Sequence, residues 1–286
     1  MPMPNLSPAH GLGQIIADNA IDIETNTDRD KIMQRIETEV YTVWDRGIRW
    51  FHWINLLSML ALLGTGLVIY NGKTLGISGD GKILLKELHV WFGYVFATNL
   101  LWRIVQGFTG SHFARWRTLL RPERGHLTTT LRSYLRSLRN GERRPYLGHN
   151  PLGRLMVITL LLLMTVQAVT GLLLAGTDLY YPPLGAWIAH WVATSGVEPS
   201  TLLPGDKSMV DATAWEEMRA FRGPFTFLHE QVFFVLVGAV ILHIAGVVVG
   251  EIRERNGLVS AMFTGDKMLT ATPVDLPFPD EAGAGE

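Results

Sequence analysis

Two histidines, His229 and His243, share one long apolar run of this 286-residue chain. At about 100° per residue, the fourteen positions between them fall about 40° short of four helical turns, and at about 1.5 Å per residue they span about 21 Å. Both side chains therefore point to nearly the same face of a helix, at two depths. An ionisable residue in an apolar run is costly, so each is a candidate for function.

Two further histidines complete a pattern. His52 begins the first apolar run and His89 begins the second. If successive runs cross a membrane in opposite directions, His52 is level with His243, and His89 is level with His229. Imidazole is an axial ligand of haem iron, so each pair predicts one haem held between two helices. The alternative is a set of hydrogen-bonded interhelical histidines, which would not require matched depths. The other five histidines lie outside the runs, and we interpret most of them as solvated.

The chain contains no cysteine. That excludes disulfides, cysteine zinc sites, iron–sulfur clusters and thioether-linked haem. Any haem must therefore be b-type, held by coordination and packing. The net charge of −1 gives no electrostatic reason to expect a nucleic-acid partner.

The apolar runs predict the elements that position these histidines. Hydrophobic residues make up 48% of the chain, charged residues only 18%, and the mean hydropathy is +0.18. About 20 apolar residues in a helix cross a membrane core of about 30 Å. We predict an all-α membrane protein, a four-transmembrane-helix bundle holding two haems. Its spans are at about 50–70, 88–107, 154–175 and 225–250.

Loop charges predict the orientation. Residues 108–153 carry nine arginines against two acidic residues, whereas residues 177–224 carry three basic residues against six acidic ones. Basic loops remain in the cytoplasm, so both termini are predicted to be cytoplasmic and residues 177–224 to form an extracytoplasmic cap.

The predicted domains are a polar arm, a dihaem domain and a tail. Residues 1–40 form the cytoplasmic arm, with one short helix near 31–40, and residues 41–255 form the transmembrane domain. Residues 256–286 form a cytoplasmic tail, disordered from about 271 because it is acidic and rich in proline and glycine.

Other residues of the spans have two interpretations each. Arg49 and Arg103 lie near the cytoplasmic ends of their helices, where they either pair with haem propionates or extend to the membrane surface. Glycine in a span admits either a flat ligand or a neighbouring helix. The glycines concerned are Gly64, Gly66, Gly93, Gly171, Gly238 and Gly246.

Several segments resemble the b-type cytochrome subunits of nickel–iron hydrogenases, which are related to formate dehydrogenase gamma subunits and bacterial cytochrome b561. They are residues 40–53 (VYTVWDRGIRWFHW), 89–94 (HVWFGY), 102–103 (WR), 148–153 (GHNPLG) and 228–230 (LHE). The resemblance implies haem b ligation by His52 with His243 and by His89 with His229. It also implies a quinone site beside the cytoplasmic haem, to which Asn150 contributes. Asn150 has a second interpretation, as a helix N-cap before Pro151. Two features depart from that family: Gly47 replaces a frequent proline, and the 177–224 loop is long.

These observations predict an electron-transfer subunit of the bacterial inner membrane. It would connect an extracytoplasmic partner (a nickel–iron hydrogenase, a related dehydrogenase or a c-type cytochrome) with the quinone pool. Two alternatives remain at this point. One is a stand-alone, b561-like quinol oxidase that reduces a diffusible acceptor such as superoxide. The other is a haem-free anchor or transporter.

Overall fold

The computed structural model describes residues 39–120, 127–142, 144–254 and 257–276, and these are mostly helical. In chain order the first elements are β1 (Glu39–Thr42), α1 (Arg46–Tyr70), α2 (Gly79–Thr109), a 3-10 turn (His112–Ala114), α3 (Trp116–Leu120) and α4 (Leu127–Arg139). There follow α5 (Pro151–Leu179), α6 (Gly185–Val192), a 3-10 turn (Pro199–Thr201), α7 (Ala212–Glu254), α8 (Leu258–Thr264) and β2 (Asp266–Leu269).

Each of the four long helices begins at a capping side chain. Asp45, Ser78, Asn150 and Asp211 accept hydrogen bonds from the backbone N–H three residues further on, at 2.8, 3.1, 2.8 and 2.9 Å. Such caps satisfy one of the free N–H groups at a helix start, and each contributes about 1 kcal/mol. The N-cap interpretation of Asn150 is therefore confirmed.

Three of the long helices are suited to a membrane. Among the described residues, α1, α5 and α7 are long and apolar enough to cross one. In their most apolar stretches only 6%, 17% and 6% of residues are buried by the protein itself. The apolar surface left exposed is what contact with lipid requires. Helix α2 contains the predicted second span, but polar residues such as Asn99 and Arg103 make it less apolar.

The long helices pack in a row. Close backbone approach joins α1 to α2, α2 to α5, and α5 to α7, and within the described part of the chain α7 comes only marginally near α1 or α2. The central core joins α2, α5 and α7 through Phe96, Leu100, Leu161, Met164 and Leu236. In this arrangement α7 lies opposite α1 and α2. In each predicted histidine pair one residue lies on α7 and the other on α1 or α2.

One carboxylate connects three helices at the end of the bundle where α5 finishes. Asp178 accepts hydrogen bonds from Lys86 of α2 at 2.6 Å and from Arg222 of α7 at 2.7 Å. The side chains are 15–29% exposed, so solvent screens the pairs only in part. This triad fixes α2 and α7 relative to α5 near His89 and His229.

Residues 177–224 are compact. Helix α6 buries Ile188 and Val192 against Met218, which lies in the first turns of α7. A single β-bridge joins Ala193 to Val210. Helix α7 thus begins at Ala212, well before the predicted start of the fourth span at 225, because the segment supplies it with a packing partner.

At the other end of the bundle, the first and the last described segments of the chain pack together. Strands β1 and β2 pair antiparallel, with Glu39 opposite Leu269. Residues 39–40, predicted as the end of a short helix, are strand instead because β2 lies beside them. Residues 271–276 are also ordered, since Asp275 accepts hydrogen bonds from the N–H groups of Leu147 (2.6 Å) and Gly148 (2.9 Å). The rest of the predicted arm and tail, 1–38, 255–256 and 277–286, lies outside the described residues.

Gly107→Ala is expected to lower stability by about 1–3 kcal/mol, the range for overpacking a filled site. A Cβ at Gly107 would lie 1.9 Å from Trp116 Nε1, which donates a 3.0 Å hydrogen bond to the Ile104 carbonyl. The tryptophan must move and lose that bond. Thermal unfolding in detergent measures the effect. Gly223→Ala in α7 is the control, because its Cβ meets no atom within 4 Å. An equal loss of stability in both variants would contradict the packing explanation.

Candidate functional site

The imidazole rings of His89 and His229 face each other across the space between α2 and α7. Their centroids are 6.4 Å apart and their planes are inclined by 78°. An imidazole nitrogen lies about 2 Å from a coordinated transition metal, so two rings on one metal have centroids about 6 Å apart. Both histidines are half-buried. The observed separation therefore fits two axial ligands of one iron.

Two threonines hold these rings. Thr65 Oγ1 of α1 lies 2.8 Å from His89 Nδ1, and Thr170 Oγ1 of α5 lies 2.8 Å from His229 Nδ1. In addition, Gln167 Nε2 lies 3.1 Å from His229 Nε2. These three residues are not identifiable from sequence alone, because a polar residue in a span gives no sign of its partner on another helix.

The neighbouring glycines admit the same two rings. A Cβ at Gly66 would lie 3.3 Å from His89 Cε1, and one at Gly171 would lie 3.2 Å from His229 Cε1. Both distances are shorter than ordinary van der Waals contacts. Of the two interpretations of span glycines, these two positions make room for a candidate ligand side chain rather than for a helix backbone.

In the second pair, His52 lies near the start of α1, and His243 lies fourteen residues beyond His229 on α7. The two side chains are half-buried and close enough to interact electrostatically. The Trp53 ring stands edge-on to His52 with centroids 5.5 Å apart, and its Nε1 donates a 3.0 Å hydrogen bond to the Met262 carbonyl in α8. His52 Nδ1 is buried without a hydrogen-bond partner among the described residues. A buried unpaired nitrogen is costly, and it marks this pair as a place where a further group would be stabilising.

The predicted propionate partners lie at the same end as His52. Arg49 donates from Nη1 to the Phe263 carbonyl, and its Nε is buried without a partner within the described chain. Arg103 is only 5% exposed, its guanidinium lies 5.2 Å from the centre of the Trp116 ring, and one Nη is likewise unpaired. Buried guanidinium N–H groups without acceptors suit an anionic group. Arg103 is buried, unlike an arginine that extends to the membrane surface, whereas Arg49 is half-buried.

Most histidines outside the spans are expected to be solvated, but His149 is only partly exposed in the structure. Its ring lies 4.8 Å from the Trp44 ring. Desolvation, together with the positive charges of Lys267, Arg154, Arg103 and His243, lowers the pKa of His149 to about 3. The imidazole is therefore neutral at physiological pH. It precedes Asn150, the candidate quinone residue, whose side-chain oxygen caps α5.

Residues 43–265 match the family described as prokaryotic cytochrome b561. The chain belongs to this family. A cytochrome b561 carries haem b, so the haem-free alternative is wrong.

The residues present fit this group. At four glycines of α1, α2 and α7 an added Cβ would meet no atom within 4 Å: Gly64, Gly93, Gly238 and Gly246. The facing rings of His89 and His229, the unpaired His52 nitrogen and the unpaired N–H groups of Arg49 and Arg103 supply ligands and anion partners for this group. Among the described residues no cluster of three or more His, Cys, Asp or Glu offers a bare metal ion an alternative site.

Curated relatives of this cytochrome b561 share its length. A protein of Azotobacter vinelandii is 28% identical over 260 residues, covering 86% of this chain and 95% of the relative. A protein of Bradyrhizobium diazoefficiens is 26% identical over 241 residues (79% and 85%), and one of Rhodobacter capsulatus is 25% identical over 277 residues (91% and 93%). Each is named "Probable Ni/Fe-hydrogenase B-type cytochrome subunit".

Gly47, one of the two departures from the expected family pattern, has a structural reason in this chain. A Cβ at this position would lie 1.9 Å from Gln106 Nε2. Helices α1 and α2 approach each other at this point, so a proline would require Gln106 to move.

Proposed function

We propose that this cytochrome b561 is a dihaem electron-transfer subunit of a membrane oxidoreductase. Helices α1, α2, α5 and α7 would be its four spans, with both termini in the cytoplasm of a bacterial inner membrane. One haem b would be held by His89 and His229, and the other by His52 and His243. The observation that carries the proposal is the 6.4 Å separation of the ring centroids of His89 and His229, with His243 of the second pair on nearly the same side of α7.

The ligand set determines the kind of chemistry. When bound by two histidines, haem b supplies a one-electron couple with no open coordination position. The chain's own residues then hold the two groups at different depths, since His229 and His243 are about 21 Å apart along α7. Helix α1 packs on α2, and helix α5 packs on both α2 and α7. A relay for electrons across the membrane follows from this arrangement.

The partner is proposed from the relatives. They are named as hydrogenase cytochrome subunits, and the alignments extend over 85–95% of their length. We therefore propose a nickel–iron hydrogenase on the extracytoplasmic side, docked on residues 177–224, with a related dehydrogenase or a c-type cytochrome as the other candidates for this position. A stand-alone superoxide-reducing oxidase is not favoured, because such an enzyme needs no subunit partner.

Quinone is proposed as the partner at the His52–His243 end. It is soluble in the membrane, and it takes up two electrons and two protons on reduction. Asn150 lies at the start of α5, and its side-chain N–H₂ group remains a donor because only the oxygen serves the cap. Neutral His149 lies directly before it. These residues supply polar groups where a quinone carbonyl would need them.

The test is the haem content of the purified full-length protein and the identity of proteins that co-purify with it. We expect two haem b per chain, both low-spin in optical spectra, and a hydrogenase released from the membrane only together with this subunit. One haem per chain would contradict the dihaem proposal. A dihaem protein isolated from intact membranes without a redox subunit would contradict the partner proposal alone.

A further inference from the structure

We propose that Thr65 and Thr170 are positioning residues that fix the tautomer of His89 and His229 and thereby set the reduction potential of one haem but not the other. This inference rests on the proposed function, because it concerns the haem assigned to that pair. It starts from the two 2.8 Å contacts between threonine Oγ1 and histidine Nδ1.

The direction of each hydrogen bond follows from counting protons. A threonine hydroxyl has one proton to donate and two lone pairs. Thr65 donates its proton to the Ala61 carbonyl at 2.8 Å, and Thr170 donates to the Val166 carbonyl at 2.8 Å. With its proton used there, each hydroxyl is the acceptor toward the histidine, which is the direction required if Nε2 is to bind iron. Nδ1 then carries the proton, and Nε2 keeps a lone pair.

The amide of Gln167 gives independent support for this tautomer. Its Nε2 donates and lies 3.1 Å from His229 Nε2. A nitrogen that accepts a hydrogen bond carries a lone pair, so the proton of His229 must be on Nδ1, the atom facing Thr170. Two separate contacts thus assign the same state to this ring.

Each of the two threonines is followed by a glycine in the sequence. Thr65-Gly66 on α1 and Thr170-Gly171 on α5 each place a hydroxyl on Nδ1 and leave room for Cε1, where a Cβ would come within 3.3 and 3.2 Å. The two dipeptides lie on helices that do not supply these ligands, so each supports a ring of the neighbouring helix. The same threonine and glycine contacts thus occur at both histidines, which two histidines without a ligand role would not need.

The second histidine pair lacks this support. His52 Nδ1 has no hydrogen-bond partner among the described residues. An acceptor on the N–H of a metal-bound imidazole makes the ring a stronger donor to the metal. A stronger donor stabilises the oxidised iron and lowers its reduction potential. The threonines therefore lower the potential of the His89–His229 haem selectively, and the two haems acquire different potentials.

The experiment compares Thr65→Val and Thr170→Val with Thr65→Ser and Thr170→Ser in the full-length protein. Valine keeps the size and removes the acceptor, whereas serine keeps the hydroxyl. Redox titration followed optically gives two midpoint potentials, assigned with His89→Ala and His243→Ala. We expect each valine variant to raise the potential of the His89–His229 haem by a three- to tenfold change in its equilibrium constant, about 30–60 mV at 59 mV per tenfold. The electron paramagnetic resonance signal of that haem should shift as its ring loosens.

The serine variants should resemble the wild type, and the other haem should keep its potential in all four variants. Loss of only the His89–His229 haem in the valine variants, with serine retaining it, also supports the inference. Unchanged potentials, equal changes at both haems, or serine as disruptive as valine would overturn it. A wild-type protein with fewer than two haems would instead overturn the proposed function, and that result is visible before any threonine variant is made.

Discussion

We expect His243→Ala to remove one of the two proposed haems and to leave the other, and His229→Ala to remove the complementary one. Each substitution deletes a proposed haem ligand from a site that would hold haem b only by coordination and packing. The haem-to-chain ratio should therefore fall from two to one in either variant and to zero in the double variant. Haem extraction with pyridine, normalised to protein, measures the ratio. The two single variants should also lack different components of the reduced-minus-oxidised spectrum.

His190→Ala is the matched control for these variants. His190 is exposed on α6 and distant from both pairs in the sequence, so its loss should leave two haems per chain. Loss of both haems in either single ligand variant would show that the sites fold together rather than separately. Retention of both haems in His243→Ala would mean that this residue is not a ligand.

The second large effect concerns Lys267, which is only 2% exposed at the end of the bundle closed by β1 and β2. It donates hydrogen bonds to the carbonyls of Gly148 (2.9 Å) and Tyr146 (3.4 Å). Desolvation lowers the pKa of Lys267 to about 8, although the negative charges of Asp275 and Glu254 act in the opposite direction. At about 1.36 kcal/mol per pKa unit, keeping this lysine charged in the fold costs about 3 kcal/mol.

The sign of the pH dependence follows from proton counts. Below pH 8 the lysine is charged in both the folded and the unfolded state, so the full free-energy cost of burying its charge is present. Between about pH 8 and the ordinary lysine pKa of 10.5 the unfolded state binds more protons, so the free energy of unfolding rises with pH. Burial raises the pKa of the neighbouring Tyr134 and Tyr146, which lowers stability only above about pH 10. The window for Lys267 is therefore pH 7.5–9.5.

We expect the free energy of unfolding to rise by about 2 kcal/mol across that window, or roughly 4–8 °C in Tm for a chain of this size. Thermal unfolding in detergent, followed by tryptophan fluorescence, measures it. Lys267→Met should abolish the rise, because methionine has similar length and no proton to lose. A parallel slope in the wild type and in Lys267→Met would mean that another group is responsible.

The sequence was sufficient to predict the long helices and the family, because apolar runs and histidine spacing are local properties of the chain. His229 and His243 could be placed on one side of α7 by helical periodicity alone. The pairing of His89 with His229 required only alternating helix directions, and the structure brings these two rings together as predicted.

Residues that act across helices were not predictable. Thr65 and Thr170 each contact a histidine of another helix, and no pattern within one helix indicates that contact. His149 and Lys267 are surrounded by segments far away in sequence, including β1 and residues 271–276. The one local feature that the two threonines share is a Thr-Gly dipeptide in the second half of α1 and of α5, but the same dipeptide also occurs at residues 109–110 and 264–265 and is therefore not specific.

Helix α7 also determines the order in which the protein can be assembled. Both proposed sites take one ligand from it, and it is the last of the long helices to leave the ribosome. Neither proposed haem site would have both of its histidines until α7 is inserted, however long the earlier helices have been in the membrane. Haem loading is therefore a late step of biogenesis, and chains that stop before residue 229 should accumulate without haem and be targets for membrane proteases.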